Sequence, residues 1–305
     1  MQITSGGPQA SVAPLPSPMP MPLRRRVPLN WLGVAPFLIF AMVFLLLPTL
    51  NIVIEAFRTP DGAFTFDNVL NLSQPRIVSA FWVSIKISFA TALLGCLIGF
   101  LIAVAVSLGG LPAGIRGPLL TFSGVASNFA GVPLAFAFIA TLGRVGLVTI
   151  ILRDWFGVNL YGMGFNLLSF WGLVLVYLYF QIPLMILIIT PAIDGLKREW
   201  REAAEILGAS GFQYWTMVAL PVLWPALLGT MALLFANAFG AVATATALTG
   251  SQLSIVPIVL FNQIRGDVLQ DPQLGYAIAF GMIVVTGLTN FIYIVLRSRS
   301  ERWIK

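Results

Sequence analysis

Long apolar stretches alternate with short polar segments along the whole chain. Because about 20 consecutive apolar residues cross the hydrocarbon core of a bilayer as one helix, each long stretch predicts a membrane-spanning helix. We predict six spans: residues 31–54, 81–108, 118–142, 167–193, 222–248 and 276–296. The predicted fold class is therefore an all-α integral membrane protein with six transmembrane helices.

The composition narrows the possible functions further. Of the 305 residues, 58% are hydrophobic and 9% are charged, whereas an ordinary soluble domain has about 25% charged residues. The chain has no histidine and one cysteine, Cys96, so this chain alone cannot supply His-containing zinc sites or Ser-His-Asp and Cys-His catalytic groups. No lysine follows a glycine, so the Gly-Lys-Ser/Thr of a phosphate-binding loop is absent. We expect no enzyme activity, no metal and no cofactor.

Basic residues predict which side of the membrane each segment faces, because cytoplasmic loops keep an excess of Lys and Arg. With the N-terminus inside, eleven basic residues are cytoplasmic and five are outside, with Lys86 near the outer end of the second span. The inner set is Arg24, Arg25, Arg26, Arg116, Lys197, Arg198, Arg201, Arg297, Arg299, Arg302 and Lys305. The outer set is Arg58, Arg76, Arg144, Arg153 and Arg265. Both termini are therefore predicted to be cytoplasmic, and the net charge of +6 is explained without nucleic acid.

Composition and charge predict how the chain is divided into segments. Residues 1–23 are rich in proline and predict a disordered tail. Residues 24–80 form a basic anchor, the first span and an outer loop, residues 81–296 hold the other five spans, and residues 297–305 form a basic cytoplasmic tail. The first apolar run, of about 24 residues, is too long for the core of a signal peptide, so we interpret it as a retained span.

The segment between the fourth and fifth spans, residues 194–221, is long, charged and patterned. Leu196, Trp200, Ala203 and Leu207 recur at the spacing of one helical face, which predicts a short amphipathic helix. Gly208 suits the turn that ends it, and a second short helical stretch over 212–219 precedes Pro221. A long cytoplasmic loop of this kind favours a docking role over a plain connector, although a solvated surface helix is the alternative.

The loop also carries a recognisable motif. Glu202, Ala203 and Ala204 are followed after three residues by Gly208, then after nine residues by Val218, and after one more residue by Leu220 and Pro221. This resembles the EAA loop of binding-protein-dependent importer permeases, where isoleucine is usual in place of Val218. The resemblance covers roughly residues 81–296.

The resemblance implies a type I ABC importer permease. In that family the loop forms coupling helices on a separate ATPase subunit, a second permease completes the pathway, and an extracytoplasmic protein delivers the substrate. The implied coupling residues are Trp200, Glu202, Ala203, Ala204, Leu207, Gly208, Leu220 and Pro221.

Three polar residues within the predicted spans are candidates for the translocation pathway: Asn128, Gln181 and Asn237. Polar groups in hydrocarbon are costly and usually face a bundle interior or a wet cavity, but each could instead make only an interhelical hydrogen bond. Gly95, Gly99 and Ala103 form a small-residue stripe that favours close helix packing.

The sequence leaves open both the substrate and the class of membrane protein. One short element resembles oxyanion permeases: Leu142, Gly143, Arg144, Val145 and Gly146. The general build of the chain instead resembles the permeases of the spermidine and putrescine type, which we favour. Phosphonates and ferric iron are further alternatives. An ion-coupled secondary transporter is the main rival, but no internal repeat supports it. Lys86 is the only charged residue inside the predicted spans, and Glu55 directly follows the first span. A membrane enzyme or scaffold is the third reading.

Overall fold

The computed structural model describes residues 30–109, 112–250, 252–265 and 271–301, and it divides the chain into two units, Met1–Thr49 and Leu50–Lys305. The predictions for residues 1–23 and for Arg24, Arg25, Arg26, Arg302 and Lys305 lie outside the described residues.

In the described ranges the fold is helical. The helices are α1 (Asn30–Ala41), α2 (Leu47–Glu55), α3 (Asp67–Leu70), α4 (Pro75–Leu108), α5 (Ala113–Asn128), α6 (Val132–Leu142), α7 (Leu147–Phe156), α8 (Phe170–Asp194), α9 (Arg198–Ile206), α10 (Gly211–Tyr214), α11 (Leu220–Phe239), α12 (Val242–Thr249), α13 (Val256–Arg265) and α14 (Pro272–Glu301).

Six segments of the described chain are long and apolar enough to cross a membrane, which confirms the predicted number of spans. They are Gly33–Glu55, Pro75–Leu108, Val132–Phe156, Phe170–Asp194, Gly211–Phe239 and Pro272–Ser298. The first contains α1 and α2, joined by a π-helical turn over Met42–Leu46. The second, fourth and sixth agree with the prediction to within a few residues.

The third predicted span was wrong as one helix over 118–142. The structure ends α5 at Asn128 and begins α6 at Val132, and the apolar stretch continues as α7 beyond a second break at Gly143–Gly146. Gly131 adopts φ 77° and ψ −151°, a conformation that only glycine takes without strain. Pro133 follows in the first turn of α6, where its missing N–H is tolerated. Hydropathy alone does not detect such a break.

The fifth predicted span, 222–248, was also placed wrongly at both ends. Its helix begins earlier, at Gly211, and passes through a π-helical turn over Trp215–Ala219 into α11. It ends at Phe239, after which Gly240 and Ala241 separate α11 from the short helix α12. The segment between α12 and α14 contains α13, whose Val256 and Val259 are buried.

Helix α8 is the centre of the second unit, because it packs against α4, α5 and α11. The predicted small-residue stripe on α4 is confirmed as the contact surface with α8. A Cβ atom at Gly95 would lie 3.1 Å from the Gln181 Cβ, and one at Gly99 would lie 2.6 Å from the Met185 Cβ. Ala103 is fully buried. The two helices therefore approach as closely as their backbones allow.

The two ends of the bundle are built differently. At the end where α4 and α14 begin, Val256 and Val259 of α13 pack with Ile77 of α4 and Ile278 of α14. The Val256 N–H donates to the Ser84 Oγ at 2.9 Å. We call this the α13 end. The opposite end carries α9 and α10, and we call it the loop end.

Replacing Gly99 with alanine tests the α4–α8 contact. Because the added Cβ would overlap Met185, we expect Gly99→Ala to lower the free energy of unfolding by about 1–3 kcal/mol, as overpacking does in cores. The measurement is a denaturation titration in detergent micelles. Gly287→Ala in α14 is the matched control, since nothing lies within 4 Å of its added Cβ. Equal stability of both variants would contradict the close contact.

Candidate functional site

The loop predicted to couple to a partner is a helix–turn–helix at the loop end of the bundle. Helix α9 confirms the predicted amphipathic helix and has Glu199 in its first turn, where a negative charge complements the helix dipole. Gly208 then takes φ 77° and reverses the chain. The Gly208 N–H donates to the Glu205 carbonyl at 3.0 Å, and the Ala209 N–H donates to the Ala204 carbonyl at 2.9 Å. The turn is thus fully bonded.

The second helix of the loop begins with a capping box. The Gln213 N–H donates to the Ser210 Oγ at 3.3 Å, and the Ser210 N–H donates to the Gln213 Oε1 at 2.8 Å. Helix α10 continues through the π-helical turn into α11, so the predicted stretch at 212–219 is the start of the fifth span. Leu220 is half-buried and Pro221 is exposed in the first turn of α11. The loop is therefore attached directly to a spanning helix.

Charged residues of α9 pair along the helix rather than with the bundle. The Arg198 Nε donates to the Glu202 Oε1 at 2.9 Å, and the Arg201 Nε donates to the Glu205 Oε1 at 3.0 Å. All four side chains are at least half exposed, so the pairs add little stability. They remain free to exchange for charges on a partner surface.

The apolar residues of the loop divide into an inner and an outer group. Leu196 is half-buried and packs on the core between α8 and α11, and Trp200 is 37% exposed with the Lys197 Nζ 5.9 Å from the centre of its ring. In contrast, Leu207 is 86% exposed. Ala203 is exposed and Ala204 is half-buried. The face predicted from sequence spacing is thus covered at one end and open at the other.

Two exposed apolar residues of the loop were missed by the sequence analysis. Ile206 is 86% exposed and Phe212 is 78% exposed, and they flank the Gly208 turn together with Leu207. We call Ile206, Leu207 and Phe212 the loop tip. A large apolar side chain within a charged loop is the signal that could have identified Ile206 and Phe212. An apolar tip at the end of a charged helix is typical of a protein-docking surface.

An ion pair and a cavity lie between the loop and the bundle. An ion pair between Arg116 of α5 and Asp194, the last residue of α8, lies where the loop begins. A cavity of about 860 Å³ separates the loop from the end of α4, and Ser107, Lys197, Arg201 and Tyr214 contribute to its lining. The ion pair links the root of the loop to α5 as well as to α8.

The three candidate pathway residues lie in different environments. Gln181 is fully buried among α4, α8 and α11. Its Nε2 donates to the Leu234 carbonyl at 2.8 Å, and its Oε1 has no partner within the described residues. Asn128 is exposed at the end of α5, with its Nδ2 bonded to the Gly124 carbonyl at 2.9 Å. Asn237 is exposed near the end of α11.

Hydrogen bonds tie down the two helix breaks that lie beside Asn128 and Asn237. The Gly131 N–H donates to the Thr244 Oγ1 at 2.7 Å, which connects the α5–α6 break to α12. The Tyr177 hydroxyl of α8 donates to the Ala241 carbonyl at 2.6 Å in the α11–α12 break. Gln181 belongs to the helix packing instead. Among the described residues, His, Cys, Asp and Glu form no group that could hold a metal ion.

A bundle of apolar spanning helices, with a charged, apolar-tipped loop between two of them, defines a polytopic membrane protein. Comparison with known families then gives the identity. The chain belongs to the family described as the binding-protein-dependent transport system inner membrane component, whose profile matches residues 95–305. It is therefore the permease subunit of an ABC importer, and the resemblance seen in the loop motif is confirmed.

Individual relatives agree with the family. The chain is 27% identical over 258 residues to the spermidine/putrescine transport system permease protein PotB of Haemophilus influenzae, covering 82% of this chain and 87% of that protein. It is 24% identical over 284 residues to the sulfate transport system permease protein CysT of Salmonella typhimurium, covering 92% and 96%. The fold is similar to a chain of a bacterial alginate ABC transporter solved in complex with an alginate-bound periplasmic protein, with 17% identity, a TM-score of 0.67 and coverage of 90% and 94%.

Proposed function

We propose that this permease forms half of a translocation pathway and docks a separate ATPase subunit through the loop tip and α9. The observation that carries the proposal is the exposure of Ile206, Leu207 and Phe212 on a loop whose turn is closed by backbone hydrogen bonds. A fixed loop that presents apolar side chains to water gains stability when a partner covers them. The ion pairs of Arg198 and Arg201 provide charges at the rim of the same surface.

The proposed coupling set joins the residues of the sequence motif to the tip. Trp200 and Leu207 supply apolar contact, Ala203 and Ala204 let a partner approach closely, and Glu202 offers a carboxylate. Gly208 sets the turn that presents the tip. Leu220 and Pro221 start the spanning helix that receives the movement. ATP hydrolysis in the docked subunits would thereby shift α8 and α11, the two helices that the loop connects, and open the pathway alternately to each side.

The remaining partners follow from what one chain lacks. A single six-span chain supplies half of a pathway, so a second permease, identical or related, completes it. An extracytoplasmic binding protein delivers the substrate at the α13 end. The family description names binding-protein-dependent transport, and the structurally similar alginate transporter was solved with a periplasmic protein. Both observations support the proposed binding protein.

Substituting Leu207 tests the docking surface. We expect Leu207→Asp to weaken binding of the ATPase subunit at least tenfold, because burying a leucine contributes about 1.5–3 kcal/mol and about 1.4 kcal/mol corresponds to tenfold. The measurement is the amount of ATPase that co-purifies with the correctly inserted permease over a range of ATPase concentrations. Val145→Asp is the matched control, since Val145 is also 86% exposed but lies between α6 and α7. Undiminished ATPase binding by Leu207→Asp would contradict the proposed surface.

We further propose that both termini and the loop face the cytoplasm of a bacterial cell. Arg116, Lys197, Arg198 and Arg201 lie at the loop end, and Arg297 lies near the end of α14. Such clustering favours the cytoplasmic side. A fluorescent reporter that folds only in the cytoplasm should be bright when fused after residue 305 and dark when inserted near Asn159. The reverse pattern would overturn the orientation.

For the substrate we propose a polyamine, with an oxyanion as the second candidate. The similarity to the spermidine/putrescine permease supports the first, and the residue 142–146 element together with the sulfate permease relative supports the second. Phosphonate and ferric iron permeases remain more distant alternatives, and an ion-coupled secondary transporter has no support from the family.

Uptake by vesicles that contain the assembled transporter and its binding protein separates these substrates. We expect ATP-dependent accumulation of labelled spermidine that excess sulfate does not reduce, because a binding protein shaped for a long polycation does not hold a compact anion. Accumulation of sulfate without spermidine would move the protein to the oxyanion branch. Uptake that persists without ATP but needs an ion gradient would support the secondary transporter.

A further inference from the structure

An apolar groove of about 360 Å³ lies between the spanning helices α4, α11 and α14. Its floor is formed by Ala92 of α4 together with Ala232 and Phe235 of α11, which are exposed by 1%, 6% and 8%. Phe89 and Leu288 lie along its edges and are 53% and 57% exposed. Two alanines at the floor therefore leave a recess that larger side chains would fill.

The lining of the groove does not suit a polar ligand. Among the described residues that line it, Thr289 and Tyr293 are the only two with a side-chain hydroxyl. The Thr289 Oγ1 donates to the Val285 carbonyl of its own helix at 2.9 Å, and the Tyr293 hydroxyl lies towards the loop end. A cavity with so few polar partners favours an apolar occupant over water.

The dimensions of the groove match one hydrocarbon chain. Val285 and Leu296 both line it and lie eleven positions apart on α14, which is about 16 Å at 1.5 Å per residue. This length is about half of a hydrocarbon core of about 30 Å, the depth of one leaflet. The volume spread over this length gives a mean cross-section of about 20 Å². A helix with its side chains is 10–12 Å across, about 80–110 Å² in section, and is too wide to enter.

The end of the groove nearest the loop end carries a positive charge. The Tyr293 ring lies directly on the backbone of α11, since a Cβ atom at Gly229 would lie 2.9 Å from the Tyr293 hydroxyl oxygen. The Arg297 Nη1 donates to this hydroxyl at 3.2 Å. Arg297 is exposed and lies one residue before Ser298, where the sixth spanning segment ends. Its guanidinium therefore lies at the level of the lipid headgroups, where it can bind a phosphate.

We propose that the groove binds one acyl chain of an anionic phospholipid, whose phosphate is held by Arg297 at the loop end of α14. The Tyr293 hydroxyl positions the guanidinium. A basic residue beside a cleft between spanning helices is a recognised arrangement for anionic headgroups. A bound lipid contacts α4, α11 and α14 together and stabilises their packing.

The lipid site goes beyond the proposed function and does not depend on it. The proposed orientation adds only the source of the lipid, which is then the cytoplasmic leaflet, whose surface is negatively charged.

Two pairs of variants test the chain site and the headgroup site separately in the assembled transporter. Thr289→Trp fills the groove, and Ile294→Trp is the matched control because Ile294 is on the same helix, is 59% exposed and does not line the groove. Arg297→Gln removes the charge, with Arg198→Gln of α9 as the control at the same end. Insertion of each variant is checked first.

The probes are phosphatidylglycerol and phosphatidylcholine with identical acyl chains. Each is titrated into the delipidated transporter, and native mass spectrometry counts the lipids bound to each permease chain. We expect Thr289→Trp to weaken binding of phosphatidylglycerol at least tenfold, because the transfer free energy of two buried methylene groups already corresponds to about tenfold. Arg297→Gln should reduce the preference for phosphatidylglycerol about fivefold, the effect of one basic residue near an anionic surface. Both controls should bind as the wild type does.

Photocross-linking locates the chain in the wild-type protein and decides the question even if Thr289→Trp does not insert. Phosphatidylglycerol with a diazirine in its acyl chain should modify Phe89 and Leu288 in preference to Leu101, which is 59% exposed on α4 outside the groove. Equal modification of all three residues would mean that only unspecific surface lipid is present, and it would overturn the proposal.

Two further results would count against the lipid site. Equal binding of phosphatidylglycerol by Thr289→Trp and Ile294→Trp would show that the groove holds no lipid. Separation of the two permeases by Thr289→Trp, with lipid binding unchanged, would assign the groove to a helix of the second permease. Binding of the ATPase subunit enters none of these measurements, so failure of the docking proposal and failure of the lipid site are distinguished.

Discussion

The contact between α4 and α8 is the interaction on which the rest of the fold depends. Hydrophobicity does not drive helices together inside a bilayer, because lipid tails are as apolar as leucine, and close van der Waals packing has to do so instead. Gly95 and Gly99 remove the side chains that would separate the two backbones, so α4 lies directly on Gln181 and Met185. With α8 held in this way, α5 and α11 pack on its other sides. The loop after α8 and both helix breaks are attached to these helices.

The polar groups of the spans divide into two kinds by their partners. The Gln181 side chain donates a hydrogen bond to a backbone carbonyl of α11. This bond adds specificity to the contact between α8 and α11, which dispersion already stabilises. The groups around the two breaks instead satisfy backbone that has left the helix, with Thr244 and Tyr177 supplying the hydroxyls. A helix break within the membrane needs such partners, because each unsatisfied group costs several kcal/mol in hydrocarbon.

The coupling loop shows a different balance between stability and interaction. Its turns and caps are closed by local hydrogen bonds at Gly208 and Ser210, so the shape of the loop does not depend on a partner. Its apolar side chains at Ile206, Leu207 and Phe212 are left in water, which is unfavourable for an isolated chain. A preformed loop loses little conformational entropy on docking, and the ion pair between Arg116 and Asp194 connects the root of this loop to α5.

Sequence alone determined the features that depend on local composition and spacing. Six spans follow from apolar length, the amphipathic α9 follows from residues spaced at one helical turn, and the motif from Glu202 to Pro221 pointed to the family that the profile match confirms. Tertiary structure decided what depends on contacts between distant residues. Hydropathy cannot register that Gly131 turns the chain and bonds to Thr244, 113 positions away, so the third and fifth spans were misplaced. Polarity within the predicted spans identified Gln181, Asn128 and Asn237 as equal candidates. Only packing showed that the first is buried between helices while the other two are exposed, because burial is a property of the neighbours and not of the residue.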